Sequence, residues 1–536
     1  MVVDSKALEA NIVGYSQEGP GHSPGFVASV LDLGFNSAKL STYQVNDRTS
    51  YRIISQDDAK VRLGEDLDAT GFLGVSPMER TLRVLKMFRE VIDFESPRYV
   101  LPVATSAVRE AANKNEFLHL ADETSKFKFR VLSEQEEALL SYFGAVLSLR
   151  IPTGVFFDLG GGTLAMVYAE DYKVKKVFCL PLGARRLTYL YGSAKGGLFI
   201  RKDFERMKDH ILELLPGKEL HVARNAKLVG VGGTARAVAR YHIDKSRYPF
   251  EKLHNYVMDY DEVAWTNAQF FRMKKRELKS LPSMGLSRAE TMAAGSSVVR
   301  LLMKSLGFSE LVISTHGLRE GTLALFLHNH RWFNSKSFEP STIDRQLSST
   351  GRTRTQTWER YIREMFSERI ISELEYSLLL EAREMVKNSP QTTDLTARFH
   401  GLMGVDSTLS HADQLRVVVS IIFAASSSYA TILAEEFSSM LTRKDKEVIR
   451  RLSAMYQLLE LLERMRVHLS VSSEGDPSSG GRTVKMEIAV AGVYAEELLA
   501  RAISTVRDEF KMDIDYSVTK EKQDTSPFGV EEMIRR

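Results

Sequence analysis

Twice in 536 residues an apolar run ends in Asp-Leu-Gly: FVASVLDLGFNS at 26–37 and GVFFDLGGGT at 154–163. Both runs are short, rich in β-branched and aromatic residues, and closed by small turn formers, so each reads as a buried strand with a carboxylate at its tip. Carboxylate, glycine and amide are poor core material. Glycines let backbone N–H groups come close to phosphate oxygens, and an Asp can hold a metal directly or through water. A single Asp-x-Gly is an ordinary turn. Two strand-end copies favour a phosphate clamp built from two similar lobes.

The rest of the chain fits that division. Up to about Leu327, apolar runs alternate with helical patterns: a helix near 78–94, the strand RYVLPVA, a helix from Ser106, the strand KFRVL and a helix from Glu134. LAMVYAE, AKLVGVGG and ELVIST continue the strand series after residue 150. This alternation predicts an α/β class with parallel or mixed sheets. We therefore expect a loose N-terminal arm over 1–25, lobe I over 26–150 and lobe II over 151–330. A polar, Ser/Thr-rich linker follows at 331–357, then a helical domain at 358–470 and a small α+β segment at 484–536. No internal repeat at fixed period is visible. The longest uncharged stretch, Val417 to Ala434, carries four serines and a threonine and is expected to be one buried helix rather than a membrane span.

Charge narrows the partners. The 72 Lys and Arg against 69 Asp and Glu leave +3, too little for a nucleic-acid coat, so an anion site has to be local and no specific nucleic-acid partner is expected. One cysteine, Cys179, excludes a disulfide framework and suits a reducing cytoplasm; its thiol is expected in the core. The first 25 residues lack a basic and an apolar region of signal-peptide type, so a cytoplasmic location is expected and no membrane partner.

Three further motifs carry candidate chemistry. In VATSAVREAAN, Thr105 or Ser106 caps a helix and Arg109 falls in its first turn, where a cation opposes the helix dipole unless an anion sits there. The other reading is an exposed Arg paired with Glu110. Arg236 in GVGGTARAVA repeats the arrangement after Gly232, Gly233 and Thr234. In FRVLSEQEEALLSYFG, Ser133 and Glu136 fit a capping box, which gives Glu136 a structural task. Glu137, one position further round, is free either to face solvent or to point into a cleft as a general base.

Taken in order, LDLGFNS, ATSAVREAAN, VLSEQEEALLSYFG, FFDLGGGT, LPLGARRLT, LVGVGGTARAVA and ISTHGLREGTL resemble the exopolyphosphatase and guanosine pentaphosphate phosphohydrolase (Ppx/GppA) family over roughly residues 26–327. The resemblance implies two actin-like, ribonuclease-H-type lobes with a phosphate site between them, and a homodimer. It implies Glu137 as catalytic base, Asp32 and Asp158 as organisers of magnesium or another divalent cation and of water, and Arg109 as a phosphate ligand. Gly34, Asn36, Ser37, Gly160, Gly161, Gly162, Thr163, Gly232, Gly233 and Thr234 would line the phosphate, with Arg186, Arg236 and Arg319 along a substrate channel that Arg185, Lys195 and Arg201 extend. The expected activity is release of orthophosphate from the end of inorganic polyphosphate. Guanosine pentaphosphate is the alternative substrate, and a phosphate- or nucleotide-sensing protein without turnover the alternative role.

The chain also departs from that family. Phe35 stands where a Ser is usual after the first Asp-x-Gly, and Ala165 where the second motif usually supplies an acid, which removes a metal ligand or a water-orienting group. The helical region resembles a degenerate HD-type phosphohydrolase domain, but residues 417–460 contain no histidine. His411 and Asp413 are expected at the surface rather than as a metal pair.

Overall fold

The computed structural model describes residues 25–46, 51–192, 199, 201–217, 220–273, 275–281, 289–334, 356–365, 370–474, 483–492 and 495–520. The expected N-terminal arm, most of the linker and Lys195 lie outside them. The chain divides into two compact units, Met1–Arg352 and Thr353–Arg536.

The first unit holds two sheets. One has the order β3-β2-β1-β4-β5, formed by β1 (Phe26–Leu33), β2 (Ser37–Val45), β3 (Tyr51–Lys60), β4 (Tyr99–Ala104) and β5 (Arg130–Val131). The other contains β6 (Gly154–Leu159), β7 (Leu164–Glu170), β8 (Lys173–Leu180), β9 (Lys227–Val231), β10 (Val257–Asp259) and β11 (Glu310–Ile313), in the order β10-β11-β9-β6-β7-β8. Followed inward from β8, it repeats the first. Three antiparallel strands form a meander, the first strand pairs parallel with the fourth, and β10 is added antiparallel at the far edge. The repeat is one of topology; the connections differ in length, so no sequence period could reveal it.

The centres of both sheets are apolar because they are covered on both faces. β6 reads GVFFDL and only Asp158 escapes burial. By contrast β2, β3 and β8, which the apolar-run reading passed over, mix polar with apolar residues. β3 is a sheet edge, and Arg52, Asp57, Asp58 and Lys60 on it suit an edge that must not recruit another strand. β8 is likewise outermost, so Cys179 is half-buried there and not the core residue expected.

Helices α1 (Val75–Glu95), α2 (Ser106–Glu110), α3 (Lys114–Ser125) and α4 (Glu134–Leu149) follow the first sheet's strands, and α5 (Ala184–Tyr191), α6 (Arg201–Leu214), α7 (Gly232–Ser246), α8 (Tyr260–Arg272), α9 (Met292–Leu306) and α10 (Leu318–His328) the second's. Leu85, Phe88 and Phe117 from α1 and α3 pack with Leu31, Leu33 and Leu40. A central core joins the sheets: Val30, Tyr43 and Leu101 of one meet Phe156, Val167 and Val229 of the other around Tyr142, Phe143, Leu323 and Phe326 of α4 and α10. These two helices cross at glycines. A Cβ on Gly321 would stand 1.9 Å from the Leu140 carbonyl oxygen, and one on Gly144 would stand 2.2 Å from that of Gly317.

In the second unit, α11 (Gln356–Met365), α12 (Glu373–Asn388), α13 (Leu395–Gly404), α14 (His411–Ala425), α15 (Ser427–Glu436) and α16 (Arg443–Met465) precede β12 (Val467–Glu474), β13 (Thr483–Val490), α17 (Glu496–Phe510) and β14 (Asp513–Lys520). The sheet order is β12-β13-β14. Three expectations change here. The sheet begins at Val467, inside the span read as helical. The stretch 417–434 is two helices, broken where Ser426 leaves the helical conformation and accepts the N–H of Tyr429 as N-cap. His411 is 3% exposed rather than a surface residue, because the start of α14 packs into the unit; Asp413 is half-buried and pairs with Arg416. Among the described residues no helix is long and apolar enough to cross a membrane.

Candidate active site

The duplicated topology places two carboxylates alike. Asp32 is the penultimate residue of β1 and Asp158 of β6, and a tight turn closes after each: Gly34 N–H donates to the Ser37 carbonyl at 3.0 Å, Gly160 N–H to that of Thr163 at 3.0 Å. The third glycine turn opens α7. Gly232 sits at φ +81°, and a Cβ there would stand 2.0 Å from Asp158 Oδ1, so only glycine lets the Asp158 carboxylate reach the cleft. Thr234 Oγ1 then fastens α7 to the Leu159 carbonyl (3.0 Å).

A cleft of about 300 Å³ lies among these turns. It is lined by Asp32, Gly34, Asn36, Ser37, Glu137, Asp158, Gly160, Gly161, Gly162, Thr163, Gly232, Gly233, Thr234, Arg236 and Arg319, all expected from the sequence. Arg109 and Arg186 are not on that lining. Arg201 opens α6 as an exposed residue away from it. The cleft also takes Lys39, Asp58, Lys60 and Glu320, which sequence reasoning missed. Lys39 pairs in register with Asp32 on one side and Asp58 on the other, and Lys60 with Ser37. The available signal was strand alternation: Ser37 and Lys39 share one face of β2, which becomes visible only once β2 and β3 are recognised as strands.

Glu137 occupies the first turn of α4, after the capping box in which Ser133 Oγ accepts the Glu136 N–H and Glu136 accepts the Ser133 N–H. Glu136 turns instead to Arg130 (2.5 Å), in a largely buried ion pair. Glu137 faces the cleft. Burial pushes its carboxyl up from the ordinary Glu range to about 7, against the pull of Arg109, whose Nη1 donates to Glu137 Oε2 at 2.9 Å and to the Leu132 carbonyl at 3.0 Å. Arg109 thus sits in the last turn of a five-residue helix, not at a helix start, so the dipole argument does not apply to it. Its Nη2 is buried without a hydrogen bond, 3.9 Å from both Glu110 and Glu134.

Burial also raises Asp32, opposed by Lys39 and Arg319, and lowers Lys39, opposed by Asp32. Asp158 accepts Ser141 Oγ at 3.2 Å. Ala165 lies beside Asp158 in register, with Cys179 beyond it, and burial together with Glu134 and Glu137 pushes that thiol up to about 11. Arg236 Nη1 donates to the Thr315 carbonyl (3.0 Å) and Arg319 Nη1 to Ser41 Oγ (2.5 Å). Acids and bases therefore share the cleft, with carboxylates at the two strand tips and on β3, α4 and α10, and cations on β2, β3, α7 and α10. This arrangement can hold an anion beside a hard cation.

Two sheets of one topology, each ending in Asp and a glycine turn on a polar cleft, define the class of the fold. The chain belongs to the Ppx/GppA phosphatase family, whose model matches residues 43–330. It is 26% identical over 306 residues to the bifunctional 3-dehydroquinate synthase/phosphatase of Fusobacterium nucleatum, a match covering 54% of this chain and 45% of that protein, so the chain spans less than half of that relative. It is 25% identical over 309 residues to exopolyphosphatase 2 of Mycobacterium tuberculosis, covering 55% of this chain and 96% of the other. The crystal structure of the Aquifex aeolicus member of the Ppx/GppA family matches 57% of this chain and 99% of its own, with 25% identity and a TM-score of 0.50. An exopolyphosphatase from Cytophaga hutchinsonii shares the fold, with 22% identity, coverage of 56% and 98%, and a TM-score of 0.53.

Proposed function

We propose that the cleft of the first unit hydrolyses the terminal phosphoanhydride of inorganic polyphosphate and releases orthophosphate. The observation that carries this reading is Glu137: a half-buried carboxyl raised to about 7, facing a cleft that Asp32, Asp158 and three glycine turns also line. Such a group is poised to accept a proton near neutral pH. Water attacks the terminal phosphorus and its proton passes to Glu137. The bond to the bridging oxygen breaks, and the shortened chain leaves with the electron pair. Backbone N–H groups at the glycine turns and the N-terminus of α7 hold the terminal phosphate oxygens. Lys39, Lys60, Arg236 and Arg319 counter the charge of the chain behind it.

Asp32 and Asp158 offer oxygen donors only, the set that suits magnesium or manganese, and the upward push of burial on Asp32 is what an incompletely compensated carboxylate shows. A divalent cation held there would offset charge on the phosphoryl group in transfer. The naming of the M. tuberculosis relative supports the choice of substrate. The test is phosphate release by the full chain from long-chain polyphosphate, guanosine pentaphosphate and ATP in separate assays with magnesium. Release from guanosine pentaphosphate alone would move the substrate to that nucleotide. Release from none, with binding retained, would make the chain a sensor, and Ala165 the residue to blame.

A further inference from the structure

Two consecutive arginines open α5, and they are used differently. Arg186 Nη2 lies 3.8 Å from Glu110, an ion pair. Arg185 pairs with no carboxylate among the described residues. Its guanidinium lies 4.9 Å from the centre of the Phe35 ring, Nη2 donates to the Glu65 carbonyl at 2.8 Å, and Nη1 to Asn36 Oδ1 at 3.5 Å. Arg185 and Phe35 both line the cleft.

These contacts close a ring of backbone around the cleft mouth. The Phe35 carbonyl accepts the Gly64 N–H (3.1 Å), and the Asn36 carbonyl accepts those of Val61 and Arg62 (3.0 Å each), so the first glycine turn is fastened to residues 61–65. The second turn is fastened to α5: the Gly161 carbonyl accepts the N–H groups of Arg185 (3.0 Å) and Arg186 (3.1 Å), and Gly160 that of Ala184 (3.0 Å). Among the described residues, the Arg185 side chain is the one that hydrogen-bonds across those two halves at this point, and Phe35 is its seat. The ring has room to lie there because Gly64 carries no Cβ, and it lies within ordinary packing distance of Gly161. One on Gly64 would stand 2.4 Å from the Phe35 ring, and one on Gly161 would stand 3.9 Å from Phe35 Cδ1.

We propose that Arg185, seated on Phe35, is a strap that holds the two Asp-x-Gly turns together and supplies a binding cation to a phosphate chain lying between them. Stacking on an aromatic face and neutral oxygen acceptors fix the guanidinium without cancelling its charge, so the charge remains for an anionic ligand. Phe35, an apolar residue on a polar turn, thereby has a function of its own. The ligand half of the proposal rests on the reading above; the strap itself does not.

Hydrogen exchange on the full chain without ligand tests the strap. Arg185→Met and Phe35→Leu should each raise exchange of the amides at 34–37 and 160–163 by about tenfold, leaving 138–149 in α4 unchanged. Phe35→Leu keeps the buried volume apolar, and Arg185 is only half-buried, so one variant covers for the other should either fold poorly. Unchanged exchange at both turns in both variants overturns the strap. The ligand half is read by calorimetric binding of tripolyphosphate with magnesium to a Glu137→Gln background. Arg185→Met should weaken it about tenfold or more and Arg185→Lys less, as expected for a charge-assisted contact. Affinity within about twofold of the parent overturns this half. A parent that binds no tripolyphosphate refutes the functional reading and the ligand half with it, and leaves the exchange result to decide the strap.

Discussion

Arg109→Ala separates two roles that the sequence could not distinguish, phosphate ligand and tuner of the base. In the structure Arg109 holds the Glu137 carboxylate at 2.9 Å, and burial still wins, leaving Glu137 at about 7. At an effective dielectric of about 20, opposite charges ~4 Å apart attract by ~4 kcal/mol. At about 1.4 kcal/mol per pH unit, losing the pair could lift Glu137 by at most ~3 units. Arg109 is 16% and Glu137 27% exposed, so water entering the vacated space takes back part of that, and a lift of about 1 to 2 units is expected.

The sign follows directly. A general base must be ionised, so the acid limb of kcat/KM should move to higher pH. At pH 7 the variant should run about 5- to 50-fold slower, and most of that deficit should vanish above about pH 9. The assay is phosphate release from polyphosphate across about pH 5.5 to 9.5, with saturating magnesium. A loss equal at every pH, with the limb in place, would refute the tuning argument and return Arg109 to the role of phosphate ligand alone.

Glu137→Gln should lose ~10²–10⁴-fold in hydrolysis while still binding tripolyphosphate, measured by turnover and calorimetry. Because the folded-state value of Glu137 lies above its unfolded one, the stability it contributes is complete below about pH 4.5 and lost as pH rises through about 7. Thermal melts of the Gln variant should lack that fall. Asp158→Asn should raise the magnesium concentration for half-maximal activity, and an unchanged midpoint in a metal titration counts against its role as ligand. Gly321→Ala sets a methyl against the Leu140 carbonyl at the α4–α10 crossing and should cost ~1–3 kcal/mol in urea unfolding.

What could be read without coordinates was whatever burial writes into local sequence. β6, and β1 apart from Ser29, are apolar to their last residue but one, so Asp32 and Asp158 stand out as strand-end carboxylates. Glu137 was separable from Glu136 because a capping box has a fixed spacing. Lys39, Asp58 and Lys60 were not legible: they sit on antiparallel strands whose polar content hides the strands themselves. Arg109 was marked as functional, but its partner Glu137 lies 28 residues on, and no local pattern encodes that contact. The Phe35–Arg185 contact is wholly tertiary. From sequence alone Phe35 looked like damage to the site.

Ala165 is the remaining departure, and its position makes it testable. It is half-buried, beside Asp158 in register, with Cys179 on its other side in the field of Glu134 and Glu137. A carboxylate placed there has two opposed effects. Without a cation it adds a third negative charge near Asp158 and Glu137, which should push Glu137 further up and lower the melting temperature at pH 8. With a cation at Asp158 it becomes an added or supporting ligand, which typically changes metal affinity ~10–100-fold. Ala165→Asp should therefore melt lower than the parent in chelator and recover in magnesium, with the magnesium midpoint for phosphate release reduced about tenfold. Should magnesium neither restore the melt nor lower the midpoint, Ala165 does not stand where a cation ligand would act, and the placement of the divalent cation at Asp158 falls with it.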